Sequence, residues 1–131
     1  MAFLIHSTDD GYIPSFEYLP CGAITPKVGM ALVQTGGSLA IATGANAPTY
    51  ISMIEKESAC TAGELIPVIR VDKRIVFETK LSAAGTSLKL GDKVTLHASD
   101  GMQVTATTAS GVAEIVYMDG TASGSMCRIR F

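Results

Sequence analysis

The side chains best suited to chemistry are the two histidines, His6 and His97. His6 lies close in sequence to Asp9 and Asp10, a set of nitrogen and oxygen donors that could hold a metal ion, but no spacing of the H-x-x-x-H type supports such a site. His97 belongs to the outward set of an alternating strand, where a lone histidine is typical of a solvated surface. The histidines therefore predict neither a metal nor a cofactor.

The serines, glycines and carboxylates also lack the patterns of known catalytic loops. The G-x-S-x-G motif is missing, and the glycines match neither a P-loop nor a dinucleotide fingerprint. The 12 Asp and Glu residues are scattered singly, so no aligned pair suggests acid–base work. A small hydrolase would need a convergent polar pocket that the sequence does not show. We predict that the chain is not an enzyme.

Two arginines near the end of the chain are candidates for binding a partner. Arg128 and Arg130 alternate with three apolar residues, which predicts a strand with one core face and one outward face. Outward arginines on an edge strand usually discourage edge pairing. They could instead make charge-assisted contacts with a partner's carboxylates, with Arg70 as a candidate neighbour. Both interpretations remain open from the sequence.

The elements that would position these side chains are predicted to be strands. Gly36-Gly37 joins residues 30–35 to 38–43 as a tight hairpin, and Asp100-Gly101 joins 93–98 to 102–107 in the same way. Pro67 lacks a ladder donor, which predicts an edge or a bulge for its strand. Residues 86–131 read as a four-strand meander against which the upstream strands pack. The further predicted strands are 49–54, 64–71, 75–79, 112–118 and 126–131.

Short strands at regular spacing, with turn signals between them and no long helix, predict an all-β fold. We expect a small β-barrel or sandwich of about nine short antiparallel strands. Residues 28–131 would form this single domain. Residues 1–27 contain Pro14, Pro20 and Pro26, which discourage helix, and they predict an extended N-terminal arm. The arm would either fold back over its own domain or reach a neighbouring subunit.

Composition narrows the class of partner. The chain has 131 residues, a net charge of −2, 47% hydrophobic and 17% charged residues, and no basic cluster larger than Lys73-Arg74. This predicts no nucleic-acid partner. No apolar run approaches the roughly 20 residues of a membrane span, and no signal peptide is visible, so we expect no membrane partner and synthesis in the cytoplasm. Cys21, Cys60 and Cys127 are predicted to be buried thiols.

Several segments resemble small proteins encoded beside the major capsid protein in tailed bacteriophages and prophages of Firmicutes-type bacteria. The resemblance is carried by residues 8–20, 24–32, 48–53, 66–70, 111–116 and 128–131. It implies a capsid decoration, or head-stabilising, protein: a structural phage protein that binds the exterior of the assembled capsid and stabilises it. The implied partner is the major capsid protein, and the implied location is the capsid exterior of the virion after synthesis in the bacterial host cytoplasm. The resemblance also implies a homo-oligomer, and a trimer would fit because decoration proteins often occupy three-fold positions of the capsid. It implies no catalytic residue and no cofactor.

The predicted interface combines the apolar residues of the arm with the outward arginines. Tyr12, Phe16 and Tyr18 would act as aromatic anchors, and deletion of residues 2–20 would leave the barrel folded while abolishing capsid binding. The alternative is a β-barrel module that binds a host-surface glycan or a peptide, although the chain has no Trp and only four Tyr for stacking on sugars. The full predicted interface is Tyr12, Ile13, Phe16, Tyr18, Leu19, Arg128 and Arg130.

Overall fold

A computed structural model describes residues 2–131 and consists of ten antiparallel strands in two five-stranded sheets. The all-β prediction is confirmed, and the architecture is a sandwich with one strand more than expected. No helix occurs among the residues that the structure describes. The strands are β1 (Leu4–Thr8), β2 (Phe16–Pro20), β3 (Ala31–Thr35), β4 (Ser38–Ile41), β5 (Tyr50–Ser52), β6 (Leu65–Arg70), β7 (Ile75–Lys80), β8 (Lys93–Val94), β9 (Ala113–Met118) and β10 (Met126–Arg130).

The first sheet has the order β1-β7-β10-β9-β8, and the second has the order β2-β6-β5-β3-β4. The segment predicted to be an extended arm therefore contains two strands, each at the edge of a different sheet. Between residue 2 and β1, Phe3 is fully buried, and its backbone N–H donates to the carbonyl of Gly29 at 2.8 Å. Residues 3–20 thus take part in both sheets and in the core of their own chain.

Two apolar clusters hold the sandwich together. The main core lies between the sheets and includes Phe3, Phe77 and Ile129, whereas the second cluster covers the other face of the second sheet. β5 shows why both clusters exist, because Tyr50, Ile51 and Ser52 are all buried although neighbouring residues point to opposite faces. The second cluster comprises Cys21, Met30, Leu32, Leu39, Tyr50, Cys60, Ile66 and Val68.

The β3–β4 hairpin confirms the turn prediction from Gly36-Gly37. Thr35 pairs with Ser38, so the two glycines form the whole loop. Their φ angles are 59° and 85°, the left-handed values that a type I′ turn requires at both central positions. A residue with a Cβ atom would be strained at either position.

The predicted four-strand meander is wrong in its pairing order. β8 pairs directly with β9, with Lys93 opposite Glu114, and residues 102–107 are not inserted between them. This segment folds back on residues 95–97: the N–H of His97 donates to the carbonyl of Gln103 at 3.0 Å. The hairpin partners were therefore right, but its tight turn was not. The N–H of Met102 donates to the Asp100 carboxylate at 2.8 Å, and only Gly101 of the Asp-Gly pair has a positive φ.

Pro67 does not lie on an edge strand, because β6 is flanked by β2 and β5. The carbonyl of Pro67 accepts a hydrogen bond from the N–H of Met53 at 3.0 Å. The backbone nitrogen and carbonyl oxygen of Pro67 therefore both face the β5 side. β5 has already ended at Ser52. The missing N–H of proline therefore falls just beyond the last residue of the neighbouring strand, which explains why the ladder tolerates it.

Candidate interaction surface

The largest exposed apolar side chains on a regular element lie where β2 pairs with β6. Phe16 is opposite Ile69, Tyr18 is opposite Pro67, and directly opposite residues share one face of a sheet. At Ile69 this face is buried in the main core. On the same face, Phe16 and Tyr18 of β2 and Leu65 at the start of β6 are 60%, 62% and 60% exposed. We call these three residues the apolar strip.

The other face of β2 is tied to its own sheet by an ion pair. The Arg70 guanidinium donates to both carboxylate oxygens of Glu17, with Nε–Oε2 at 3.2 Å and Nη2–Oε1 at 3.1 Å. Arg70 also lies over the ring of Tyr50 at 5.0 Å. The hydrogen bonds to Glu17 raise the pKa of Arg70 above its ordinary value. These contacts restrain the strand that carries the apolar strip.

Some of the apolar residues predicted as anchors in the arm are exposed in the structure, and others are half-buried. Ile13, in the loop before β2, is 84% exposed, like the strip residues that follow it. Tyr12 is half-buried against the main core, and the Arg74 guanidinium lies 3.8 Å from the centre of its ring. Leu19 is half-buried against the second cluster. Ile13, Phe16 and Tyr18 are therefore the residues of this group available to a partner.

Arg128 and Arg130 do not lie on an edge strand, since β10 is flanked by β7 and β9. Arg128 Nε lies 3.3 Å from Glu78 Oε2, and its guanidinium lies 4.6 Å from the Tyr117 ring centre. Arg130 donates to Asp9 Oδ2 at 2.8 Å. Arg70 is in the other sheet, so the proposed arginine group does not form. Both terminal arginines bind carboxylates of their own chain.

A cavity of about 220 Å³ lies beside Arg130. Its charged lining mixes Lys73, Lys93 and Arg130 with Glu114, and Val112 and Phe131 complete it. Among the residues described, the cavity lining includes no His, Cys or Ser.

Each of the two histidines lies close to one carboxylate. His6 Nδ1 lies 3.6 Å from Glu78, and His97 Nδ1 lies 3.4 Å from Asp100. Asp9 binds Arg130, so His6, Asp9 and Asp10 do not form a ligand set. Within residues 2–131 no three His, Cys, Asp or Glu side chains come together in a way that could hold a metal ion.

All three cysteines are buried and carry free thiols. Cys21 and Cys60 are both in the second cluster, and Cys127 is in the main core. Burial, together with the neighbouring thiol of Cys60, raises the pKa of Cys21 to about 12, and burial raises the pKa of Cys127 to about 11. Because the thiolate is the reactive form, burial and the raised pKa values lower the reactivity of both thiols in the folded state.

Leu65 is the member of the strip that the sequence did not single out. Residues 65–70 are apolar at every position except Arg70, so the sequence gives no sign that one face of the strand leaves the core at this end. Leu65 could be assigned to the strip only from its position opposite Pro20, which requires knowledge of the β2–β6 register.

The chain matches no protein-family model, and no curated protein shows significant sequence similarity to it. No helix in residues 2–131 is long and apolar enough to cross a membrane. The surfaces of the fold are therefore the main guide to what the chain does.

Proposed function

We propose that this chain is a structural protein of a bacteriophage particle that binds the exterior of the assembled capsid, through contacts with the major capsid protein, and stabilises it. The observation that carries the proposal is the apolar strip, in which Phe16, Tyr18 and Leu65 are exposed side by side on two paired strands. The resemblance of the chain to decoration proteins supplies the identity of the partner.

Large aromatic side chains on a restrained strand are suited to binding a protein surface. Aromatic residues are over-represented among the side chains that dominate interface energies. Phe16 and Tyr18 are held by the β2–β6 ladder, and the Glu17–Arg70 ion pair anchors the strand between them. Little backbone entropy is then lost on binding, which favours affinity for a given contact area.

Stabilisation follows from linkage. A protein that binds the assembled shell and not its free subunits lowers the free energy of the assembled state. If the bound form is a homo-oligomer, as the resemblance implies, simultaneous contacts with several capsid subunits add avidity without any new type of contact. A rigid domain with no catalytic constellation in residues 2–131 suits such a role.

The strip is tested by cosedimentation of purified protein with empty, expanded capsids of the phage that encodes it. We expect Phe16→Ala and Tyr18→Ala each to weaken capsid binding by at least tenfold, because interface anchors typically cost about 2 kcal/mol or more when truncated. Leu90→Ala is the matched control, since Leu90 is 65% exposed but lies away from the strip. Equal binding by all three variants would contradict the proposed surface.

The copy number in purified virions tests the role itself. Quantitative mass spectrometry should find a number close to one per major capsid subunit. A few copies per virion would instead favour the alternative of a module for host glycans or peptides, and complete absence from virions would refute the structural role.

A further inference from the structure

The loop of residues 55–64, which leads into β6, lies along residues 21–26, which follow β2. Three backbone hydrogen bonds of 2.8 or 2.9 Å join the two segments: Lys56 donates to Pro26, Cys60 donates to Ile24 and Cys21 donates to Glu64. The bonded residues run in opposite directions along the two segments, so the contact continues the antiparallel β2–β6 ladder beyond the end of its strands. The loop is therefore held in place by the segment opposite it.

Cys60 is the one buried residue in the stretch 57–63, where the other six residues are exposed. Its side chain enters the second cluster, which also contains Cys21. There the two thiols lie side by side, since burial and then the Cys60 thiol are the main causes of the raised pKa of Cys21. Because the backbones of both cysteines are hydrogen-bonded across the two segments, the thiols stay together while the loop is in place.

We propose that Cys21 and Cys60 form an oxidation site at which a small-molecule disulfide, such as oxidised glutathione, converts the two thiols into an intrachain disulfide. The structure contains both thiols in the reduced form. A reducing cytoplasm maintains such a pair as thiols, whereas the oxidising medium outside a cell favours the disulfide. The site does not depend on the proposed capsid-binding function.

Cys60 is the residue that reacts first, because it is 6% exposed in an otherwise exposed loop, whereas Cys21 is 0% exposed. The Cys60 thiolate attacks one sulfur of the small-molecule disulfide, which forms a mixed disulfide and releases one small-molecule thiolate. The Cys21 thiolate then attacks the Cys60 sulfur, forms the intrachain disulfide and releases the second small-molecule thiolate. The two released thiolates take up the two protons lost by the cysteines, so two electrons pass from the protein to the small molecule.

The charged neighbours of the pair act in opposite directions. The ammonium group of Lys56 interacts electrostatically with both thiols, and a nearby cation favours the thiolate that attacks. Behind burial and Cys60, the carboxylate of Glu64 also raises the pKa of Cys21, and Glu64 is ion-paired with Lys56. The second step therefore relies on the proximity of the two sulfurs, and we expect oxidation to be slower than that of an exposed thiol.

The disulfide would tie the end of β2 to the start of β6. Cys21 directly follows Pro20, the last residue of β2, and Pro20 pairs with Leu65 of the apolar strip. The bond closes a loop of about 40 residues, which restricts the unfolded chain and thereby stabilises the folded one. We therefore expect the oxidised protein to unfold at a higher urea concentration than the reduced protein.

Oxidation of the folded, unmodified protein with oxidised glutathione tests the site. Samples are quenched with acid, denatured and alkylated, and the cysteines are mapped by peptide mass spectrometry. We expect a protein lighter by two hydrogen atoms, with Cys21 joined to Cys60 and only Cys127 alkylated. Cys127 is the control within the same molecule, because it is also buried but lies in the main core, away from the other two thiols. The pair should be lost at least tenfold faster than the free thiol of Cys127.

Two variants test the order of the steps, with circular dichroism as the check that each is folded. Cys21→Ser should stop at a glutathione adduct on Cys60, whereas Cys60→Ser should leave Cys21 unmodified. Equal oxidation of all three cysteines, or a disulfide that includes Cys127, would overturn the proposed site. So would a glutathione adduct that persists on Cys60 of the unmodified protein. Equal urea midpoints for the oxidised and reduced proteins would overturn the stabilising effect of the bond.

Discussion

Truncation of Phe3 tests whether the N-terminal segment belongs to the core. Phe3 is fully buried, its ring centre lies 5.1 Å from that of Phe131, and Phe131 lies 5.5 Å from Phe77. Removal of a buried phenylalanine ring typically costs about 3–5 kcal/mol. That is a large part of the roughly 5–15 kcal/mol by which a domain is stable. We expect Phe3→Ala to lower the free energy of unfolding by this amount.

Phe16→Ala is the matched control, because it removes the same ring from the same N-terminal segment at a position that is 60% exposed. Its expected cost is about 1 kcal/mol or less. Urea denaturation followed by circular dichroism gives both free energies from the midpoints and slopes. If Phe3→Ala stayed within about 1 kcal/mol of the unmodified protein, the reasoning about the core would be refuted.

The same argument changes the expected result of deleting residues 2–20. The sequence predicted that this deletion would leave the barrel folded. The structure shows that the deletion removes Phe3 and the edge strands β1 and β2. Deletion should therefore abolish cooperative unfolding, and it cannot serve as a test of capsid binding. Point substitutions in the apolar strip are the appropriate test.

Two further predictions concern a close approach and a carboxylate. A Cβ atom at Gly111 would overlap the carbonyl of Lys93 and lie 2.7 Å from the N of Val94, so Gly111→Ala should separate β8 from β9 and cost about 1–3 kcal/mol in urea denaturation. Gly120→Ala, which meets only the Ser125 side chain, should be nearly neutral, and equal costs would contradict this packing. Hydrogen bonds from the side chain and backbone of Arg74 lower the pKa of Asp72 from 3.8 to about 2. The contribution of ionised Asp72 to the stability of the fold is then complete above about pH 4 and is lost as the pH falls through about 2. The difference in stability between the unmodified protein and Asp72→Asn should therefore vanish over that range. An NMR titration of the Asp72 carboxyl with its midpoint near 3.8 would disprove the contact with Arg74.

Local features of the fold were predictable because their causes are local. The Gly36-Gly37 hairpin follows from loop length and from the φ angles that glycine permits, and both are properties of neighbouring residues. The position of residues 102–107 was not predictable in this way. Their alternation is that of a strand, but whether a strand enters a sheet depends on remote residues that compete for the same edge. Here Lys93 pairs with Glu114 and excludes them.

The candidate surface was likewise predictable from the sequence only where its causes are local. Phe16 and Tyr18 were recognisable from sequence as large apolar groups among prolines. The partners of Arg130 were not, because Asp9 lies 121 positions away in the chain. Alternation shows that Arg130 points away from the core, but it contains no information about which carboxylate the arginine meets.

The amino-acid sequence by itself determined the all-β class, the β3–β4 turn and the alternation of most strands, because these depend on steric preferences and periodicity over a few residues. Only the tertiary structure decided which alternating face is covered. Phe3 and Phe16 have the same side chain and lie in the same proline-rich segment, yet one is fully buried and the other is 60% exposed. The difference arises from strand pairing over long chain separations, which places Phe3 in the main core and Phe16 on β2, an edge strand of the second sheet.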